Sequence, residues 1–230
     1  MIYDIQLLWK LFENISSFDY ENEEFTEETC EWLAEEIMDN TDLTIDYEVG
    51  ATKLVLIPEE LDYVIKIPFN GENDWFRGNG FQSFYGLPDS CADYCEYEEE
   101  LYQKAKEAGV EKMFLPLRYI GLINTIPIYI QEKASFIPPY NENSAATEKS
   151  KNYLIAKRKI NKQYFPPKLS IEWVAKVLDF LGSIEELEKF LLFIKVEEID
   201  KDLHVHNYGF IGNNQPIIFD YGGYFEEVSQ

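Results

Sequence analysis

The sequence contains few histidine, cysteine and basic residues. Among 230 residues there are 2 histidines and 3 cysteines, and 20 lysines and arginines stand against 43 aspartates and glutamates, a formal net charge of −23. Three thiols cannot form a disulfide framework, so Cys30, Cys91 and Cys95 are predicted to be packing thiols in a reducing cytoplasm. No run of about 18 apolar residues exists, and the sequence therefore predicts no membrane span.

The small number of basic residues also limits which partners the protein is expected to bind. Nucleic acid and anionic membranes are bound through clusters of lysine and arginine, so we expect neither as a partner. The chain is nevertheless 46% apolar and 16% aromatic. Disordered acidic chains lack aromatic residues, and this composition predicts a folded protein with a substantial core.

Hydrophobic periodicity predicts an α+β fold. Five β-branched segments predict a five-stranded antiparallel sheet: 43–49, 52–58, 62–69, 118–123 and 126–134. Helical patterns cover 2–14, 27–39, 91–108, 171–181 and 184–197. Residues 70–90 are expected to be an irregular insertion, 135–168 a linker with one short helix, and "PIIFDYGG" a strand ending at Asp220. We accordingly divide the chain into an N-terminal helical extension (1–42), a sheet-containing lobe (43–134) and a reduced helical lobe (135–230).

A lysine and a glutamate are candidates for a buried ion pair. Lys66 interrupts the apolar strand "DYVIKIPF", and a lysine buried there requires an anion. The alternative is an edge lysine with its head in water. Glu98 lies four residues after Tyr94 and three before Leu101, on the predicted inward face of its helix, where its carboxylate would meet Lys66. An acidic run on a helix is otherwise a solvent-facing surface.

Oxygen ligands are concentrated in the stretch "KDLHVHNYGFIGNNQPIIFDYGG". Asp202 and Asn207 are five residues apart, and Asp220 follows an apolar segment. An amide oxygen together with a carboxylate suits a hard cation such as Mg²⁺, and a second carboxylate can orient or deprotonate an attacking hydroxyl.

The ordered set of strand lysine, helix glutamate, Asp-x₄-Asn and Asp-Tyr-Gly resembles the protein-kinase superfamily over about residues 43–223. The resemblance implies a two-lobed fold that binds ATP and Mg²⁺. Lys66 would hold the α- and β-phosphates and Glu98 would position it. Asp202 would be the catalytic base, and Asn207 and Asp220 the metal ligands.

The same resemblance assigns the nucleotide-binding segments. "VGATKLV" would be the phosphate-binding turn, with Gly50, Thr52 and Lys53 over the phosphates. "YIQEKA" would be the hinge, where the backbone of Gln131, Glu132 and Lys133 hydrogen-bonds adenine.

The sequence departs from the family in three places. The phosphate-binding turn has one glycine instead of three. Asp200 and Lys201 replace the usual His-Arg, and His204 stands where kinases acting on Ser/Thr usually have a lysine, so "DLHVHN" is closer to the loop of small-molecule phosphotransferases. Only eight residues follow Gly222, which resembles the minimal bacterial effector kinases that lack an activation segment. That resemblance places the protein in a cytoplasm, its own or that of a host cell.

The expected function is phosphoryl transfer from ATP to a protein hydroxyl, with a protein as substrate or activating partner. His204 has two interpretations: it braces the loop by hydrogen bonds, or it approaches the transferring phosphate. Three alternatives stay open: a pseudokinase or nucleotide-binding scaffold, a small-molecule phosphotransferase, and a metal-dependent oxygenase or hydrolase. In the last, His204 and His206 on a strand would share a transition metal with Asp202.

Overall fold

The computed structural model describes residues 5–13, 15, 19–50, 52–70, 81–85, 91–136, 169–212, 214–222 and 224–227. The chain forms two compact units. The first comprises Met1–Glu99, Leu117–Lys133 and Glu226–Gln230, and the second comprises Glu100–Pro116 and Ala134–Phe225. No described helix is both long enough and apolar enough to span a membrane.

The first unit is built on the predicted five-stranded antiparallel sheet, so the α+β class is confirmed. Its strands are β1 (Ile45–Val49), β2 (Lys53–Pro58), β3 (Tyr63–Pro68), β5 (Leu117–Ile123) and β6 (Ile126–Glu132), in the order β1-β2-β3-β6-β5. β3 is the central strand, paired on both sides, and four of its six side chains in succession are buried. The insertion predicted to be irregular contains a strand, β4 (Phe81–Tyr85), and residues 71–80 and 86–90 lie outside the described residues.

Two helices cover this sheet and share its core. They are α1 (Ile5–Glu13) and α2 (Glu27–Asp39). Leu8 and Phe12 of α1 are buried in one cluster with Leu54, Ile65 and Ile130 of the sheet. The four residues of α2 predicted to face inward are all buried: Cys30, Leu33, Ala34 and Ile37. The N-terminal helices therefore belong to the first unit and share its core.

The apolar pattern of α1 predicts that Ile5, Leu8, Trp9 and Phe12 face inward, and the structure differs from this prediction at Trp9. Trp9 is 49% exposed, whereas Leu11 is buried. A short helix buries about a third of its circumference, and Leu8, Leu11 and Phe12 already fill that stripe at i, i+3 and i+4. Residues 2–4 and 14 of the predicted helix lie outside the described residues.

The helix α3 (Tyr94–Ala108) begins later than the predicted residue 91. Asp93 caps the N-terminus of α3, because its Oδ1 accepts the backbone N–H groups of Cys95 and Glu96, both at 2.8 Å. The side-chain carboxylate of Glu96 accepts the backbone N–H of Ala92 at 2.6 Å. Gly109 ends the helix at φ +65°, as the sequence predicts for a C′ glycine.

The second unit combines two helices with a three-stranded sheet. The helices are α4 (Ile171–Leu181) and α5 (Ile184–Val196), and the strands β7 (Ser135–Phe136), β8 (Tyr208–Ile211) and β9 (Gln215–Ile218) pair in that order. A further strand, β10 (Tyr224–Glu227), follows. The predicted strand at "PIIFDYGG" thus ends at Ile218, before Asp220. Residues 137–168, which include the predicted linker helix, lie outside the described residues.

Aromatic packing and helix caps hold the second unit together. The ring of Phe114 lies 5.2 to 6.0 Å from those of Phe190, Phe193 and Tyr221. Ser183 caps α5 as its spacing predicts, because its Oγ accepts the N–H of Glu186 at 3.1 Å. β7 comes so close to β8 that a Cβ on Gly209 would lie 2.1 Å from the Ser135 carbonyl oxygen, so only glycine fits there.

Candidate functional site

Lys66 is buried on the central strand of the first unit. It lies opposite Val55 on one side and Tyr129 on the other, and 3% of it is exposed. The alternative of an edge lysine with its head in water is therefore wrong. Its Nζ is 3.2 Å from Oε2 of Glu98, so the predicted ion pair is present.

The carboxylate of Glu98 is fully buried because α3 presents it to the sheet. Tyr94, Tyr97 and Leu101 are buried on the same side of the helix, whereas Glu99 and Glu100 are only partly buried, as the helical period predicts. A buried carboxylate is stable only when cations or hydrogen-bond donors meet it.

A second lysine binds the same carboxylate. Lys53, predicted to lie in the turn over the phosphates, is the first residue of β2, and its Nζ forms an ion pair with Oε1 of Glu98. The side chain of Lys53 is 2% exposed and is directed to Glu98. Nothing in the local sequence distinguishes it from a surface lysine.

The turn before β2 is closed by a backbone bond. Gly50 donates its N–H to the carbonyl of Lys53 at 2.9 Å, and Thr52 is buried. Ala51 lies outside the described residues. The N–H of Gly50 is therefore used within the turn itself.

The predicted hinge runs from the end of β6. Gln131 is buried and pairs with Val64 and Leu117 in the sheet, and Glu132 and Lys133 are half-buried. The backbone N–H of Lys133 donates to the Asp62 carbonyl at 3.0 Å, and its Nζ bonds the Pro58 carbonyl. This amide is thus engaged within the first unit.

The thiols are buried as predicted. Cys30, Cys91 and Cys95 are buried, and none of the three is in a disulfide. Burial raises the pKa of the Cys95 thiol well above its ordinary value, and the charges of Glu98 and Asp93 act in the same direction. Cys95 is therefore a neutral packing group beside the lysine pair, not a nucleophile.

In the second unit, Asn207 is the centre of the predicted catalytic loop. Its amide nitrogen donates to the backbone carbonyl of Asp202 at 3.0 Å and to the Asp202 Oδ2 at 3.2 Å. Asn207 is buried and Asp202 half-buried. These bonds use the amide NH₂, so the amide oxygen, the atom that a metal ion requires, is not consumed by them.

The same asparagine fixes the position of Asp220. The backbone carbonyl of Asn207 accepts the backbone N–H groups of Phe219 at 3.0 Å and Asp220 at 3.3 Å. Tyr221, the residue after Asp220, is itself anchored. Its ring is buried against Phe114, and its hydroxyl donates to the Leu115 carbonyl at 3.0 Å. Asp202, Asn207 and Asp220 are therefore brought together within the second unit. The amide oxygen of an asparagine and the carboxylate of an aspartate are donor types that Mg²⁺ prefers.

The two histidines lie in a turn, not on a strand. The ring Nδ1 of His204 accepts the backbone N–H of His206 at 3.3 Å, and the ring centroids are 5.7 Å apart. Within the described part of the chain, no three His, Cys, Asp or Glu side chains are placed to hold a metal ion together. The transition-metal site of the oxygenase or hydrolase alternative is therefore not formed. His204 thus forms a hydrogen bond to the backbone within its own loop.

One further buried acid was not predicted as a structural residue. Asp200 is 6% exposed, and its Oδ2 lies 2.8 Å from Nζ of Lys195 on α5. The pair ties the loop before Asp202 to the preceding helix.

Comparison with known proteins does not identify the chain. Neither a family model nor a curated protein matches it. The function is therefore inferred from the geometry of the two units.

Proposed function

We propose that this protein is an ATP- and Mg²⁺-dependent phosphotransferase with a kinase-like fold, acting on a hydroxyl group of a protein. The observation that carries the proposal is the buried ion pair of Lys66 and Glu98, in which a central strand and a helix meet through opposite charges. The desolvation penalty of burying both ions often exceeds their electrostatic attraction. A functional role therefore explains such a pair better than a contribution to stability does.

The first unit supplies the cations for the phosphates. In the proposal Lys66 contacts the α- and β-phosphates of ATP, and Glu98 holds its ammonium in place. Lys53, bound to the other carboxylate oxygen, adds a second positive charge to the same cluster. The backbone of the turn at Gly50 and Thr52 would cover the phosphates, and the segment Gln131–Lys133 would bind adenine.

The second unit supplies the metal ligands and the base. Asn207 and Asp220 would hold Mg²⁺, which neutralises the charge that develops on the transferring phosphoryl group. The carboxylate of Asp202 orients the acceptor hydroxyl and takes its proton as the oxygen attacks the γ-phosphorus and the bond to the β-phosphate oxygen breaks. The bond from Asn207 fixes the direction of that carboxylate.

His204 supports the transfer in this scheme. Because Nδ1 accepts a hydrogen bond, the neutral ring carries its proton on Nε2, which makes that nitrogen a donor. We assign the Nε2 proton to a bond with the transferring phosphoryl group, in the place of the lysine that protein kinases use.

The second candidate is a nucleotide-binding scaffold without catalysis. Two observations favour it: Lys53 occupies one oxygen of Glu98, and the Lys133 amide is engaged by Asp62. Both features reduce the groups open to a nucleotide compared with an active kinase.

ATP-dependent stabilisation tests the nucleotide site. We expect ATP with Mg²⁺ to raise the unfolding free energy of the wild type by about 2.7 kcal/mol at a ligand concentration of 100 times Kd. Lys66→Met and Asp220→Ala should abolish this effect, whereas Lys10→Met, which removes an exposed lysine of the same unit, should retain it. If ATP and Mg²⁺ left the unfolding free energy of the wild type unchanged, both candidate functions would be contradicted.

Transfer of γ-labelled phosphate then separates the two candidates. With a cell lysate as the source of acceptors, Asp202→Asn should retain ATP-dependent stabilisation and lose at least about 100-fold in transfer, because a positioned base contributes that much. Label in small molecules alone would favour a small-molecule acceptor. Equal labelling by wild type and Asp202→Asn would leave the scaffold as the better explanation.

A further inference from the structure

A cavity of about 420 Å³ on the first unit is not used by the proposed phosphotransfer. One wall is formed by the start of α3 and carries Asp93, Glu96 and Glu99. The opposite wall is formed by β5 and β6 and carries Tyr119 and Tyr129, whose ring centroids are 5.1 Å apart. The cavity therefore combines carboxylates with aromatic rings.

The three carboxylates are held in place by hydrogen bonds from the backbone. Asp93 accepts N–H groups of the first turn of α3, Glu96 accepts the N–H of Ala92, and Glu99 Oε1 accepts the N–H of Tyr119 at 2.9 Å. Asp93 also accepts a bond from the Tyr129 hydroxyl, at 3.2 Å from Oδ2. The acidic wall is thus preorganised before any ligand arrives.

These carboxylates have no cationic neighbour in the described part of the chain. None of the ion pairs formed by described residues includes Asp93, Glu96 or Glu99. Burial raises the pKa of Asp93, opposed by its hydrogen bonds, and burial also raises that of Glu99, assisted by the charges of Asp93 and Glu96. A cation in the cavity would relieve both the lost solvation and the mutual repulsion.

The spacing of the acids favours an extended organic cation over a metal ion. Residues 93, 96 and 99 lie along one side of a helix and span roughly 9 Å of its axis. Among the described residues they do not form a group that could enclose a metal ion. Tyrosine rings attract ammonium and guanidinium groups through their faces, and Tyr119, 48% exposed, is accessible to such a ligand.

We propose that this cavity binds an organic cation, an ammonium or guanidinium group on an extended chain. Asp93, Glu96 and Glu99 are its counter-ions and the ring of Tyr119 is its aromatic wall. The cation comes either from a polyamine or from a basic side chain of a protein. The inference does not depend on phosphotransfer.

Calorimetric titration of the full chain tests the proposal, with spermidine and a short lysine- and arginine-containing peptide as the two ligands. Asp93→Asn, Glu96→Gln and Glu99→Gln are combined in one variant, which removes three charges while every acceptor oxygen of the backbone bonds is retained. We expect saturable 1:1 binding to the wild type, weakened at least about tenfold in this variant. Tyr119→Leu should weaken it about threefold.

The matched control removes three charges elsewhere on the same unit. Glu31→Gln, Glu35→Gln and Asp39→Asn lie on the exposed side of α2 and give the same change in net charge. Binding by this control should stay within about twofold of wild type. Tighter binding of spermidine would identify a polyamine, and tighter binding of the peptide would identify a basic side chain. Equal weakening in both triple variants, or no saturable heat with either ligand, would overturn the proposal.

Discussion

Glu98 is the anion that two buried lysines share in the first unit. Its two carboxylate oxygens bind different lysines, Lys53 from β2 and Lys66 from β3, and all three side chains are buried. One carboxylate therefore binds ammonium groups contributed by two neighbouring strands. Removing it would leave two ammonium groups in a region from which water is excluded, and the cost of that is larger than that of any surface change.

Glu98→Ala is expected to lower the free energy of unfolding by about 3–5 kcal/mol, since a buried pair that loses one partner leaves an uncompensated charge. Urea denaturation measures the loss. Glu100→Ala, two residues further along the same helix, breaks a half-exposed pair with Lys104 and should cost no more than about 1 kcal/mol.

A third variant separates charge from packing. Replacing Lys53, Lys66 and Glu98 together by methionine removes all the charges and keeps the volume similar, so most of the stability lost in Glu98→Ala should return. If the triple variant were as unstable as Glu98→Ala, lost packing and not unpaired charge would explain the effect.

At the scale of elements, the hairpin between β5 and β6 anchors α1 to the sheet. Asn124 and Thr125 both have positive φ, 48° and 69°, as a two-residue hairpin turn requires. The amide nitrogen of Asn124 donates to the carbonyls of Phe12 and Ile15 at 2.7 and 3.1 Å, and the Thr125 hydroxyl accepts the N–H of Tyr20 at 3.1 Å. A turn residue thus satisfies the carbonyls at the end of a distant helix.

Asn124→Asp tests this anchor. Aspartate adopts the same left-handed conformation but has no amide hydrogens, so the two carbonyls lose their donor and face a carboxylate instead. We expect a loss of about 1–3 kcal/mol in unfolding free energy. Asn214→Asp is the matched control, because Asn214 is also in a turn at positive φ, 65°, and is exposed. A similar cost at both positions would indicate a backbone effect and not the lost donors.

At the scale of the whole molecule, the net charge of −23 opposes folding through repulsion among the 43 acidic side chains. The described ion pairs other than those of Glu98 include exposed or half-exposed partners and contribute little. Screening should therefore stabilise the protein, because it weakens long-range repulsion more than the buried pairs.

Added salt is expected to raise the midpoint of thermal unfolding as NaCl increases from about 0.01 M to about 1 M, where the Debye length shortens from about 30 Å to about 3 Å. Differential scanning calorimetry measures the midpoint. Tetramethylammonium chloride at equal ionic strength is the control for ion-specific effects and should give a similar rise. A midpoint that falls with salt would mean that attractive surface pairs outweigh the net repulsion.

The sequence by itself determined the five-stranded sheet, most of the helices and one long-range pair. The alternation of β-branched residues and the helical period are local patterns, and they placed the five strands, the inward face of α2 and the ends of α4 and α5. The same reasoning predicted that Lys66 and Glu98 meet, because each interrupts the buried side of its own element and each requires an opposite charge.

The tertiary structure alone decided which side chains from different elements share a partner. The direction of Lys53 toward Glu98 depends on the register of β2 against β3, and the bond between the His204 ring and the His206 backbone depends on a turn that the alternating His-x-His pattern does not reveal. The cavity beside Tyr119 depends on the packing of the start of α3 against β5 and β6. Periodicity reports which face of an element is buried; it does not report what the neighbouring element places there, because that contact is fixed only when the chain folds.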